Sequence, residues 1–165
     1  MKSSTASQRA KAVGQLIKLD PRKTGEGENP IVWSQPVTIL RNGEAGVWAT
    51  PTLYKDMVYV STHNGALLGL DRQTGAIVWR KDLSYHDWAS CSVVDQTLLV
   101  GDTNGIIHAW DVRNTRIDPP VVWSFQVLSK SALESTLAVW KGKIYLGSRD
   151  GYFYCFGDQV TAAGQ

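Results

Sequence analysis

A chain of 165 residues is long enough for one folded domain, or for one piece of a larger one, and too short for two. Its 43% hydrophobic and 19% charged residues, the latter mixed in sign, exclude an intrinsically disordered chain. A net charge of +2 supplies no field that would draw the protein onto nucleic acid or anionic lipid.

Residues 1–13 read as a polar tail, in which Ser7 to Val13 has a helix-compatible composition but is too short for a stable helix. The tail's basic residues are followed by no apolar stretch, so no signal peptide is visible, and no later run approaches the ~20 apolar residues of a membrane-spanning helix. No direct membrane insertion is expected. Gly14 to Asp20 and Ile31 to Ser34 predict two strands, giving a partial unit over 14–34.

Residues 48–80 predict a complete unit of four strands. These are Ala49 to Tyr54, Met57 to Ser61, the run GALLGLD after the hairpin dipeptide Asn64-Gly65, and Ala76 to Trp79. Residues 88–125 repeat the order with Ser90 to Asp95, LLVGD, the turn Asn104-Gly105, GIIHAWD and Val121 to Trp123. Residues 135–157 supply three strands of a further unit, Ser135 to Trp140, Lys143 to Gly147 and GYFYCFG after Asp150-Gly151, and a tail follows over 158–165.

The turn glycines Gly65, Gly105 and Gly151 and the strand-ending Trp33, Trp79 and Trp123 recur with one shared period of about 40 to 46 residues. Four short antiparallel strands in such a period make the blade of a β-propeller. One such sheet cannot bury both faces alone, so blades stack around an axis. That accounts for near-continuous apolar runs where a one-sided sheet would alternate. The fold class expected is all-β, a partial propeller of about three and a quarter four-stranded antiparallel blades. Propellers close with about 4 to 8 blades. Further blades, from a longer parent chain or from a second copy, are therefore expected partners.

Leu70 to Trp79, LDRQTGAIVW, resembles the tryptophan-docking repeat of the pyrroloquinoline-quinone-like propellers, whose pattern is Ala-x-Asp-x-x-Thr-Gly-x-x-x-Trp. Asp71, Thr74, Gly75 and Trp79 match, and Gly69 stands where Ala is usual. In the next copy Ala109 and Asp111 fit, Thr115 has no following Gly, and four extra residues precede Trp123. The first copy has Asp20, Thr24 and Gly25, then an insertion before Trp33. The resemblance runs from Gly14 to Gly157. Trp110-Asp111 also looks like the dipeptide of WD-repeat propellers, but that family's Gly-His is absent and the recurrent outer-strand Trp favours the quinone-like class.

In propellers of this class the first strand of each blade lines the central channel. The resemblance thereby places Trp48, Trp88 and Glu134 at its mouth, with a carboxylate where the other two repeats have an indole. The turns on the same face carry His63-Asn64, Thr103-Asn104 and Arg149-Asp150, preceded by Asp102, and the loop from Asp82 to Asp87 adds Tyr85, His86 and Asp87. The candidate ligand face is Trp48, Trp88, Glu134, His63, Asp102 and Arg149, because aromatics with a few convergent polar groups suit a small ligand. Simpler readings stand beside it: Trp48 and Trp88 packing on neighbours, Glu134 and Arg149 as an inter-blade ion pair, and His63 and His86 as turn residues. Trp33, Trp79 and Trp123 read as docking residues between blades.

Three functions are implied by the resemblance. A non-enzymatic scaffold of the cell envelope, holding a protein partner or a ligand and using no cofactor, is favoured. A fragment of a dehydrogenase using pyrroloquinoline quinone with calcium is the alternative, but such enzymes usually carry an adjacent Cys pair, and Cys91 and Cys155 lie far apart in the sequence. A propeller binding envelope polysaccharide or peptide is the third. The compartment implied by the resemblance is periplasmic or otherwise extracytoplasmic.

Overall fold

The computed structural model describes residues 14–37, 46–83 and 87–157. Ser7 to Val13, Tyr85, His86 and the tail 158–165 lie outside the described residues. The described residues hold thirteen strands: β1 (Gln15–Leu19), β2 (Ile31–Pro36), β3 (Thr52–Tyr54), β4 (Met57–Ser61), β5 (Ala66–Asp71), β6 (Ile77–Asp82), β7 (Ser92–Val94), β8 (Thr97–Gly101), β9 (Ile106–Asp111), β10 (Val121–Gln126), β11 (Ala138–Trp140), β12 (Lys143–Gly147) and β13 (Phe153–Phe156). They form four antiparallel sheets in meander order: β1-β2, β3 to β6, β7 to β10 and β11 to β13. The fold is a partial β-propeller, as the repeat predicts.

The second sheet buries alternate residues of a strand against different neighbours. From β4, Val58 and Val60 join Leu68, Leu70 and Leu16 in a core between the first and second sheets. Met57 and Tyr59 join Leu98, Val100 and Trp110 in a core between the second and third. A third core sets Ile107 of β9 against Leu133, Leu137 and Leu146. All five residues of β4 are therefore buried, which is why its sequence shows no polar alternation.

The innermost strands are shorter than the sequence predicts. Three-residue β3, β7 and β11 stand where runs of about six were expected, because the preceding residues turn to bond the adjacent blade instead. The Thr50 N–H donates to Ser90 Oγ at 2.8 Å, and the Ser61 hydroxyl donates to the Ala89 carbonyl. The outer strands are longer than expected, β6 and β10 each continuing three residues past their Trp.

Trp33 confirms the docking role read from the repeat. Its Nε1 donates to the Arg72 carbonyl at 3.2 Å, and its ring lies on Gly75, where an added Cβ would sit 2.7 Å from the indole. Glycine serves here because the backbone also has φ +76°. In the next repeat no Gly follows Thr115, and Trp79 Nε1 is buried with no hydrogen-bond partner. Arg116 stands after Thr115 instead and reaches back to Asp71 and Asp56 of the preceding blade. β2 pairs with β1 in a two-stranded sheet.

Candidate functional site

Five of the six residues expected at the channel mouth come together across three sheets. Trp48 precedes β3 and His63 occupies the β4–β5 turn; their rings stack with centroids 5.0 Å apart and planes 7° from parallel. Trp88, on the approach to β7, stacks on Trp48 at 5.2 Å and 16°. Trp88 Nε1 donates to His63 Nδ1 at 2.7 Å, and the two rings lie within 11° of parallel. A Nδ1 that accepts this bond belongs to the neutral imidazole with its proton on Nε2.

The fourth sheet closes the other side. Arg149, in the β12–β13 turn, sets its guanidinium 5.6 Å from the Trp88 ring centroid, a distance suited to cation–π attraction. Glu134 accepts from Arg149 Nε at 2.9 Å. The ion pair considered from the sequence is real, but it lies within one blade, and its effect is to aim Arg149 at an indole of the blade before. Trp48 remains 64% exposed, so the arrangement presents one open indole face backed by a second indole, an imidazole and an oriented cation.

Asp102 is the exception. It is buried inside the β8–β9 turn: Oδ1 accepts from the N–H groups of Asn104 and Ile106 at 3.0 and 2.9 Å, and Oδ2 lies 2.9 Å from His108 Nε2. It caps the hairpin as Thr62 does in the preceding repeat, where the Ala66 N–H bonds Thr62 Oγ1. The turn residues have the same structural use: Asn64 Oδ1 accepts from the Thr62 hydroxyl at 2.6 Å, and Asp150 is held well down, to about 2, by the hydroxyls of Ser129 and Tyr154.

The sequence names Asp87 only as part of the loop on the mouth face and leaves it out of the candidate set. It precedes Trp88, and the same repeat position holds Val47 and Leu133, which pack into apolar cores. Asp87 is likewise buried. Its Oδ1 accepts from the Ala89 N–H at 2.9 Å, while Oδ2 has no hydrogen-bond partner. Burial, aided by the charge of Asp102, pushes its carboxyl up to about 7. The signal was present: a carboxylate in the column of Val and Leu, visible once the residue before each mouth position is aligned.

The donor set for a quinone with calcium is not assembled in the described residues. No three His, Cys, Asp or Glu side chains among them gather as a metal site would require. Cys91 is buried, its thiol pushed up by burial, and Cys155 is exposed in another sheet.

Stacked four-stranded meanders with docking tryptophans define a propeller of the quinone-like repeat class. Residues 7–164 match the family described as outer membrane protein assembly factor BamB, and the chain belongs to that family. It is 28% identical over 119 residues to outer membrane protein assembly factor BamB of Shewanella oneidensis, covering 72% of this chain and 28% of that protein. The crystal structure of BamB from Moraxella catarrhalis superposes with a TM-score of 0.69 at 27% identity, over 87% of this chain and 40% of the other. The chain thus spans well under half of each of these relatives. Quinohemoprotein alcohol dehydrogenase ADHIIG from Pseudomonas putida HK5 shares the fold at TM-score 0.59 and 19% identity, over 68% of this chain and 19% of that one.

Proposed function

We propose that this chain is part of a non-enzymatic interaction scaffold of the cell envelope, one arc of a larger ring, whose mouth holds a protein partner on Trp48, His63, Trp88, Arg149 and Glu134. The observation that carries this is the stack that runs unbroken across three blades and leaves Trp48 open. An exposed indole backed by rigid aromatic neighbours offers large contact area at low entropic cost. The names of the relatives, assembly factors of outer membrane proteins, support a protein partner and an extracytoplasmic location. An envelope polysaccharide is the second reading, because a flat open indole also suits a sugar ring.

A photo-crosslinking side chain at position 48, introduced in cells, tests this. The expected result is a discrete protein adduct that Trp88→Ala and Glu134→Ala each weaken without lowering the melting temperature. Adducts to carbohydrate alone favour the second reading, and a pattern indifferent to both substitutions discards the mouth. Reconstitution with pyrroloquinoline quinone and calcium provides the control on chemistry: dye-linked alcohol oxidation would overturn the non-enzymatic reading.

A further inference from the structure

Three features converge on the residue before Trp88. Asp87 is a fully buried carboxyl in a repeat position otherwise apolar, its Oδ2 has no hydrogen-bond partner, and the charge of a second buried carboxyl, Asp102, acts against its ionisation. A neutral carboxylic acid fits such a place at the cost of one unmade bond; a carboxylate does not, because a buried charge needs a counter-charge or water. Among the described residues, the groups around it supply no counter-charge. Ser61 of β4 contributes a hydroxyl, Cys91 a thiol with its own proton held by burial, and Asp102 another carboxylate, whose Oδ2 is engaged by His108 of β9. The cation of the mouth, Arg149, is committed to Glu134 and to the face of Trp88.

We propose that Asp87 is a positioning residue for the mouth: protonated, it stays in the core and holds Trp88 in the stack with Trp48 and His63, and when it ionises it draws the segment outward and loosens that stack. The loss and gain concern one proton, exchanged with solvent, and no covalent step. The direction of its shifted titration means that the stack is complete in mildly acidic solution and loosens through neutrality into alkaline solution. Trp88 belongs to the mouth described above, so this rests on that reading, but its readout is spectroscopic and needs no partner.

The test is fluorine NMR of the full chain labelled with fluorotryptophan, with the Trp88 resonance assigned from Trp88→Phe. The part of the Trp88 shift that Trp48→Ala removes is the ring-current signature of the stack. In the wild type this part is expected to fall at least about twofold between about pH 5.5 and about pH 8.5, as a one-proton transition. In Asp87→Asn it is expected to stay constant, because the amide keeps the shape and cannot ionise. Asp87→Leu, which restores the residue class of Val47 and Leu133, is the second variant and is expected to be equally flat. A wild-type signal that does not change with pH overturns the proposal. So does a transition that persists in Asp87→Asn or Asp87→Leu, which would assign it to another group.

Discussion

A carboxyl at the position of Asp87 also leaves a mark on stability. Its folded-state titration is raised to about 7, whereas an unfolded Asp titrates near ~3.9. The folded chain therefore holds a proton that the unfolded chain has lost. The contribution of protonated Asp87 is fully present below about pH 4 and is lost as pH rises toward 7, at ~1.4 kcal/mol per pH unit and on the order of 4 kcal/mol in all. Asp87→Asn does not titrate, so denaturation series should show equal stability in acid and a growing advantage of the variant up to about pH 7, level thereafter. Parallel curves for the two proteins would refute this. A second residue-scale expectation concerns Gly75. Gly75→Ala places a Cβ at φ +76° and within 2.7 Å of the Trp33 ring. It should cost about 1–3 kcal/mol, read as a lowered denaturant midpoint with the slope unchanged.

At the scale of elements, the short inner strands hold one another through side-chain hydroxyls in register. Thr52 donates to the Cys91 carbonyl at 2.7 Å, and Ser92, its counterpart one blade on, donates to the Leu137 carbonyl at 2.6 Å. Removing either donor leaves a part-buried carbonyl short of a bond. Thr52→Val and Ser92→Ala should each cost about 0.5–1.5 kcal/mol and add independently, since they bridge different pairs of blades. Two single melts and the double variant decide it; a neutral double variant would show that water replaces both bonds. These hydroxyls also mark where the sequence stops being readable. The hairpins were legible because Asn64-Gly65, Asn104-Gly105 and Asp150-Gly151 tolerate positive φ between apolar runs. Trp33 was legible because its seat, Gly75, belongs to the same motif. The mouth was legible as a set of positions, since the repeat puts Trp48, Trp88 and Glu134 in one column. What the repeat could not show was direction: Asp102 turns inward to cap its hairpin, and Arg149 crosses to the indole of another blade. Such contacts depend on how blades are rotated against each other, which no pattern within one blade encodes.

At the scale of the molecule, the two ends of the arc present unlike unfinished sheets. The β1-β2 sheet exposes Ile17, Leu19, Ile31 and Val32, and the β11 to β13 sheet exposes Trp140, Phe153 and the thiol of Cys155. Among the described residues the first of these sheets holds two strands and the last holds three. What the ends share is an apolar outer face of the kind that interior blades cover with a neighbour, and apolar patches of that sort drive association when left bare. The isolated chain is therefore expected to give a light-scattering mass above one chain at micromolar concentration. Phe153→Lys combined with Leu19→Lys should bring it toward one chain by charging both faces. The outer edge of β10 is the competing cause, because VVWSFQ is exposed along its length and carries no charge, unlike β6 with Arg80, Lys81 and Asp82. If Val122→Lys alone dissolves the association, the sheet edge drives it and the end faces do not. If a monodisperse single chain with one cooperative melt is found without any substitution, the arc is self-sufficient and the requirement for further blades falls.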